Sequence, residues 1–204
     1  MMIPPPTKIV CVGRNYVDHA KELGNPMPDR PLIFLKPPSS LIGDGESIVL
    51  PTQSSRVEHE GEIAVVIGRR ARNVAAADAH AFIAGYAPLN DVSARDLQRS
   101  DEQWTRAKGF DTFCPLGSIK PAEGIDPVRL EVFCRVNGEE RQRGRAADMA
   151  FPIPALIEYI TAVMTLEPGD VIATGTPAGV GPLRRGDRVE VEIPGVGKLS
   201  NSVI

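Results

Sequence analysis

Cysteine is scarce in this 204-residue chain: Cys11, Cys114 and Cys134 are odd in number and without paired spacing, which speaks against a disulfide framework or a cysteine zinc site. They read as small buried apolar residues. Aromatic residues make up 5% of the chain, and no apolar run approaches the ~20 residues that a membrane helix needs. The opening Met-Met-Ile-Pro-Pro-Pro-Thr-Lys has no apolar signal-peptide core. The expectation is a soluble, cytoplasmic protein with no membrane partner. Neither sign of charge dominates, since 23 Lys and Arg face 26 Asp and Glu for a net charge of -3. No global field therefore favours nucleic acid or an anionic surface. The pairs Arg69-Arg70 and Arg184-Arg185 read as solvated surface. What is plentiful is glycine and proline, 19 of each, which signals many turns. With 42% hydrophobic and 24% charged residues the chain is not disordered, and its length suits one domain over residues 1–204.

Strand-like runs rich in Val and Ile recur at Lys8–Val12, Leu32–Leu35, Glu60–Ile67, Arg129–Val136, Val171–Thr174 and Arg188–Ile193. Asn137-Gly138 can supply the positive φ angles of a two-residue hairpin, and a second hairpin is expected at Pro194-Gly195. Helices are few. One opens at Pro152-Ile153-Pro154 and presents an apolar face through Leu156, Ile157 and Ile160. A second spans Asn15–Leu23 and stops at Gly24, and a third covers Ala94–Gln103. Strands that outnumber helices without β-α alternation predict an α+β fold built on antiparallel sheet.

The most informative run is His59-Glu60-Gly61-Glu62, entering Ile63-Ala64-Val65-Val66-Ile67. Alternation along a strand projects Glu60 and Glu62 to one side. Two carboxylates about 4 Å apart repel by roughly 4 kcal/mol at an effective dielectric near 20, so a buried pair needs a cation while a solvated strand end does not. Asp91 arrives at the end of the apolar run Ala81–Leu89, where a strand would deliver a third acid to a sheet rim. Three oxygen ligands without a Cys or His cluster suit a hard divalent ion such as Mg²⁺ or Mn²⁺. His19 and Glu22, three residues apart on a helix, are either a base with its orienting carboxylate or a surface ion pair. His59 should face away from Glu60 and Glu62; neither it nor His80 has an evident partner, and both read as structural. Lys108, flanked by Trp104 and Phe110, reads as semi-buried and able to stabilise an oxyanion, or as a snorkelling surface lysine. Arg95 and Gln98 could grip a substrate carboxylate or lie solvated on their helix. Gly175-Thr176-Pro177-Ala178-Gly179-Val180-Gly181 lacks the P-loop ending and the dinucleotide spacing. It is either a glycine turn offering amides and the Thr176 hydroxyl to a small carboxylate, or a structural turn.

Seven segments stand in one order: GRNYVDHAKE, FLKP, HEGEIAVVIG, NDVSARDLQ, WTRAKGFDTFCPLG, VNGE and GDVIATGTPAGVG. Together they resemble the short, single-domain branch of the fumarylacetoacetate hydrolase family, related to acylpyruvases. The resemblance implies a mixed β-sandwich roll, a homodimer, and a lid over about residues 15–30. It implies Mg²⁺ or Mn²⁺ on Glu60, Glu62 and Asp91, catalytic roles for His19, Glu22 and Lys108, and substrate contacts from Arg14, Tyr16, Arg95, Gln98, Gly175 and Thr176. The activity it suggests is metal-dependent hydrolysis of a carbon-carbon bond in an acylpyruvate, of the fumarylpyruvate or acetylpyruvate class. Decarboxylation of oxaloacetate, isomerisation of a hydroxymuconate-type diacid and a catalytically idle ligand-binding protein are the alternatives. In the enzyme readings the partner is a small 2-oxo acid.

Overall fold

The computed structural model describes residues 3–22, 24 and 26–204, the side chain of Ala20 excepted. The fold is a mixed α+β arrangement of several sheets with a few short helices. In the largest sheet the strands run in the order Lys120–Pro121, Ile83–Asn90, Gly61–Ile67, Val171–Ala173, Ile9–Gly13 and Leu32–Lys36. All neighbours are antiparallel except Ile9–Gly13 beside Val171–Ala173. A second sheet orders Glu139–Arg145, Glu131–Val136, Arg188–Ile193, Gly197–Val203 and Ser47–Ile48.

The unbroken apolar run Ile63–Ile67 follows from burial on both faces. Ile63, Val65 and Ile67 join Val10 and Val12 in the main core, which includes Val189 and Val191 of the second sheet and Leu156, Ile157 and Ile160 of a helix. Ala64 and Val66 join Ile9, Cys11, Ala87, Leu89 and Cys114 in a smaller core on the opposite face. Glu62 has the parity of Ala64 and Val66, and Asp91 that of Ala87 and Leu89. Both acids thus continue the face of the smaller core. All three cysteines are buried, as small apolar residues should be.

Both expected hairpins form, with Asn137, Gly138 and Gly195 at positive φ. The helices are α1 (Val17–Glu22), α2 (Arg95–Ser100), α3 (Thr105–Lys108) and α4 (Ile153–Val163). Among the described residues no helix is long and apolar enough to cross a membrane. The expected end of α1 at Leu23, and part of the expected lid, fall on Leu23 and Asn25, outside the described residues.

Three of the boundaries that differ from expectation have a visible physical cause. The helix expected over Ala94–Gln103 stops at Ser100, because Asp101 turns extended and its carboxylate takes the Arg106 guanidinium at 2.6 and 2.9 Å, which starts α3 instead. The strand expected from Arg129 begins at Glu131, since Asp126 caps a helical turn over Pro127–Arg129. The strand expected from Glu60 begins at Gly61: Val57–His59 before it belongs to a small separate sheet, and Glu60 sits at the junction.

Asp96 anchors α2. Its carboxylate accepts from Ser54 Oγ at 2.6 Å, Ser55 N at 2.8 Å, Ser55 Oγ at 2.9 Å and Leu97 N at 3.0 Å. Burial pushes the group up, but these donors outweigh it and bring the pKa down to about 2. A depressed carboxylate contributes stability above its unfolded value of about 3.9 and loses it as pH falls toward the folded value. The melting temperature of Asp96→Asn should therefore lie below that of the parent at pH 6 and converge with it near pH 2. A gap independent of pH contradicts this reading.

Candidate active site

Backbone pairing assembles the acids before any side chain is considered. Gly61 opposes Asn90, the Asp91 amide donates to Glu60 O at 2.8 Å, and Asn90 Oδ1 receives the Glu60 amide at 2.9 Å. Glu60, Glu62 and Asp91 are all buried, and one oxygen from each lies within 4.8 Å of the other two. Oxygens sharing one hard cation at about 2.0–2.6 Å are at most about 4–5 Å apart, so the donor set fits a divalent ion in both chemistry and spacing.

Four buried carboxylates, Glu58, Glu60, Glu62 and Asp91, face three buried cations. Lys108 Nζ donates to Glu60 Oε2 and Asp91 Oδ2, each at 2.7 Å. Lys36 Nζ donates to Asp91 Oδ1 at 2.6 Å and to Val92 O at 3.1 Å. Arg95 spans Glu58 Oε2 at 2.7 Å and Glu60 Oε1 at 2.5 Å. Burial alone would raise Glu60, but Lys108 and Arg95 hold it well below the ordinary carboxylate range. Glu62 goes the other way: burial, then the charges of Asp91 and Glu60, push it well up. Its one hydrogen-bond donor among the described residues is the Gly175 amide, at 2.8 Å. Buried Lys108 is held protonated by Asp91 and Glu60 against its own desolvation. Lys108 is thus fully buried, where the sequence suggested half-burial, because it neutralises two interior acids.

The 174–179 turn directs its amides at protein carboxylates. Gly175 N serves Glu62, and Gly179 N serves Glu22 Oε1 and Oε2 at 3.0 and 3.2 Å. Both glycines have φ near +100°; a Cβ would come within 2.8 Å of Asn15 Cβ at Gly175 and 1.9 Å of Arg141 O at Gly179. Only glycine fits either place. His19 on α1 is buried, with Nδ1 3.2 Å from Glu22 Oε2, which leaves Nε2 for proton exchange with a ligand. The turn thereby orients both a candidate metal ligand and the carboxylate behind the histidine.

These groups line a cavity of about 250 Å³. His19, Glu60, Glu62, Asp91, Lys108, Arg95, Gln98, Arg14 and Thr176 all reach it, and Phe34 and Trp104 form an apolar wall with ring centroids 5.2 Å apart. Glu22 and Gly175 stand behind the lining. Tyr16 does not line this cavity; it borders a second one with Arg143 and Asp148. His59 faces away as expected, but it does have partners: Nδ1 meets Gln142 Oε1 at 3.1 Å and Cys134 Sγ at 3.5 Å.

Lys36, Glu58, Gln142 and the wall residue Phe34 are participants to which the sequence gave no role. Gln142 joins three segments: Oε1 accepts from Gly61 N at 2.9 Å, and Nε2 donates to Thr176 Oγ1 and Pro177 O, each at 2.7 Å. Thr176 Oγ1 in turn donates to Gly61 O at 2.9 Å. Truncating Gln142 to Ala orphans several buried groups, which should cost about 2–3 kcal/mol. At roughly 2–4 °C per kcal/mol for a chain of this size, calorimetry should show a fall of about 4–12 °C. An unchanged melting temperature contradicts the bridging role.

The model of the family described as fumarylacetoacetate (FAA) hydrolase C-terminal matches residues 8–204. The mitochondrial oxaloacetate tautomerase FAHD1 of Arabidopsis thaliana is 48% identical over 202 residues, covering 97% of this chain and 91% of that one. The structure of 5-carboxymethyl-2-hydroxymuconate delta-isomerase from Mycobacterium smegmatis superposes with a TM-score of 0.90 at 51% identity, covering 98% of this chain and 79% of that one. Fumarylpyruvate hydrolase from Pseudomonas aeruginosa, solved in complex with Mn²⁺ and pyruvate, gives a TM-score of 0.93 at 30% identity, covering 100% and 91%. These relatives are named as enzymes of three kinds: a tautomerase, an isomerase and a hydrolase.

Proposed function

Because the chain belongs to the fumarylacetoacetate hydrolase family, we propose that it is a divalent-cation-dependent enzyme that converts a short 2-oxo acid through its enolate. The observation that carries this reading is the buried Glu60, Glu62 and Asp91 cluster, with its oxygens close enough to share one ion. Mg²⁺ or Mn²⁺ held there would supply Lewis-acid withdrawal of charge from the 2-oxo acid.

The chain's own residues account for the rest. Lys108 has three N–H donors, and two are engaged by Glu60 and Asp91, so the third can meet negative charge developing on a substrate oxygen. His19 Nε2 moves the proton, with Glu22 fixing the orientation of the ring through Nδ1. Phe34 and Trp104 exclude water from one side. Arg95, tied to Glu58 and Glu60, holds the strand end rigid while facing the cavity. Gly175 supports the site from behind through its amide on Glu62, whereas Tyr16 borders the second cavity and takes no part in it.

The reaction favoured is proton transfer between carbon and the enol oxygen, as in a tautomerase or isomerase, because the relatives so named are 48–51% identical. Carbon-carbon hydrolysis of an acylpyruvate is the second reading, favoured by the His19–Glu22 pair and by the fumarylpyruvate hydrolase likeness. In it His19 takes a proton from attacking water, Lys108 holds the oxyanion, and pyruvate enolate leaves. A panel of oxaloacetate, fumarylpyruvate and acetylpyruvate, assayed for enol-keto interconversion, carbon dioxide release and hydrolysis with Mg²⁺, Mn²⁺ or chelator, separates the readings. Metal-dependent ketonisation without cleavage supports the first. Cleavage of acylpyruvates supports the second, and turnover that survives chelation refutes both.

A further inference from the structure

One asparagine of this chain, Asn137, is followed by glycine. Asn137 and Gly138 form the two-residue tip between Glu131–Val136 and Glu139–Arg145, with Val136 opposite Glu139 and φ angles of 55° and 82° at the tip. Both residues are exposed, and a Cβ built on Gly138 would meet nothing within 4 Å. No side chain therefore shields the peptide nitrogen of Gly138 from solvent or from the carboxamide that precedes it.

The Asn137 side chain is engaged at both ends. Nδ2 donates to Asp187 Oδ1 at 2.8 Å, and Oδ1 accepts from Arg188 N at 2.9 Å. The Asn137 amide donates to Arg188 O at 2.9 Å, and Asp187 Oδ2 accepts from Arg184 N at 2.7 Å. Together these contacts tie the hairpin tip to the start of Arg188–Ile193, the strand that pairs with Glu131–Val136. Neither Asn137 nor Asp187 lines either cavity, so the knot does not depend on the enolate reading.

We propose that Asn137 is a hydrolytic modification site, guarded in the folded protein by Asp187 and Arg188, and that its conversion to a carboxylate unties the hairpin tip. In the reaction Gly138 N bonds to Asn137 Cγ, the Cγ–Nδ2 bond breaks, and Nδ2 leaves as ammonia with the proton from the Gly138 amide. Water then opens the cyclic imide at either carbonyl and gives aspartate or isoaspartate. To bring Cγ to Gly138 N, the side chain must first leave Asp187 and Arg188. After hydrolysis, an oxygen without a proton stands where Nδ2 donated to Asp187, and two carboxylates face each other. Isoaspartate in addition inserts a methylene into a turn whose length sets the strand register.

The rate and the consequence are tested separately. Protein is incubated in mildly alkaline buffer, with and without urea, and the tryptic peptide Val136–Arg141 is followed by mass for replacement of the amide by a carboxyl group. Folded protein should convert about tenfold more slowly than the unfolded chain, since two hydrogen bonds must break first, and Asp187→Ala should bring the folded rate up toward the unfolded one. Equal rates in the folded, unfolded and variant samples, or earlier conversion of another asparagine, overturn the guarded site. Asn137→Asp should lower the melting temperature by about 2–6 °C. Adding Asp187→Asn should restore it, because the double variant exchanges donor and acceptor while oxygens remain for the amides of Arg184 and Arg188. An unchanged melting temperature in the single variant, or no recovery in the double one, overturns the untying.

Discussion

Glu62→Gln is expected to lower turnover on the order of a thousandfold while making the chelator-treated protein more stable. The loss follows from removing one of three charged ligands from a centre whose charge withdrawal supplies several kcal/mol to the barrier. The gain follows from the interior charges. Glu62 is buried, faces Asp91 and Glu60, and has one backbone amide as donor. Its pKa is raised, so the cost to stability sets in as pH rises above the ordinary carboxylate value and is complete above the raised one, and a neutral isostere removes it. Glutamine keeps an oxygen for the Gly175 amide. A relief of about 1–2 kcal/mol would raise the melting temperature by roughly 2–6 °C. Opposite signs for activity and stability distinguish a metal ligand from a structural carboxylate, whose loss would lower both. A fall in both, or retained turnover, removes Glu62 from the centre.

His19→Ala carries the second large effect: a fall in kcat of about 10²–10⁴, the range of general acid-base catalysis. Divalent-cation affinity should be unchanged, because His19 is not among the three clustered acids. Glu22→Gln should cost less, since it keeps a hydrogen-bond partner for Nδ1 and for the Gly179 amide while losing the charge. If His19→Ala turns over at the parent rate on the best substrate of the panel, the histidine does not move the proton.

The parts of this molecule legible in the sequence are those set by local periodicity. Alternation placed Glu60 and Glu62 on one side, the run before Asn90 carried Asp91 to a strand end, and helical spacing joined His19 to Glu22. What stayed hidden depends on contacts between distant segments. Lys36 closes an edge strand and meets Asp91 across 55 positions; the segment FLKP stood out in the sequence, but nothing local gave its lysine a partner. Gln142 sits in a run of charged residues on an edge strand, yet only 2% of its surface is exposed, because the turn after Thr174 folds over it. Arg95 looked as much like a solvated helix residue as a ligand-binding one. Burial beside Glu58 and Glu60 gives it a different task, and Glu58 had no local signature either. The extent of α2 was misread because the ion pair of Asp101 with Arg106 breaks a helix that propensity alone would continue.

The account stands on one divalent cation shared by three carboxylates. Crystals grown with Mn²⁺ and oxalate, measured at the manganese absorption edge, test it most directly. The expected result is one anomalous peak bounded by oxygens of Glu60, Glu62 and Asp91, absent from Glu62→Gln crystals treated alike. No peak between those carboxylates in active protein, or a peak of equal height in the variant, contradicts it.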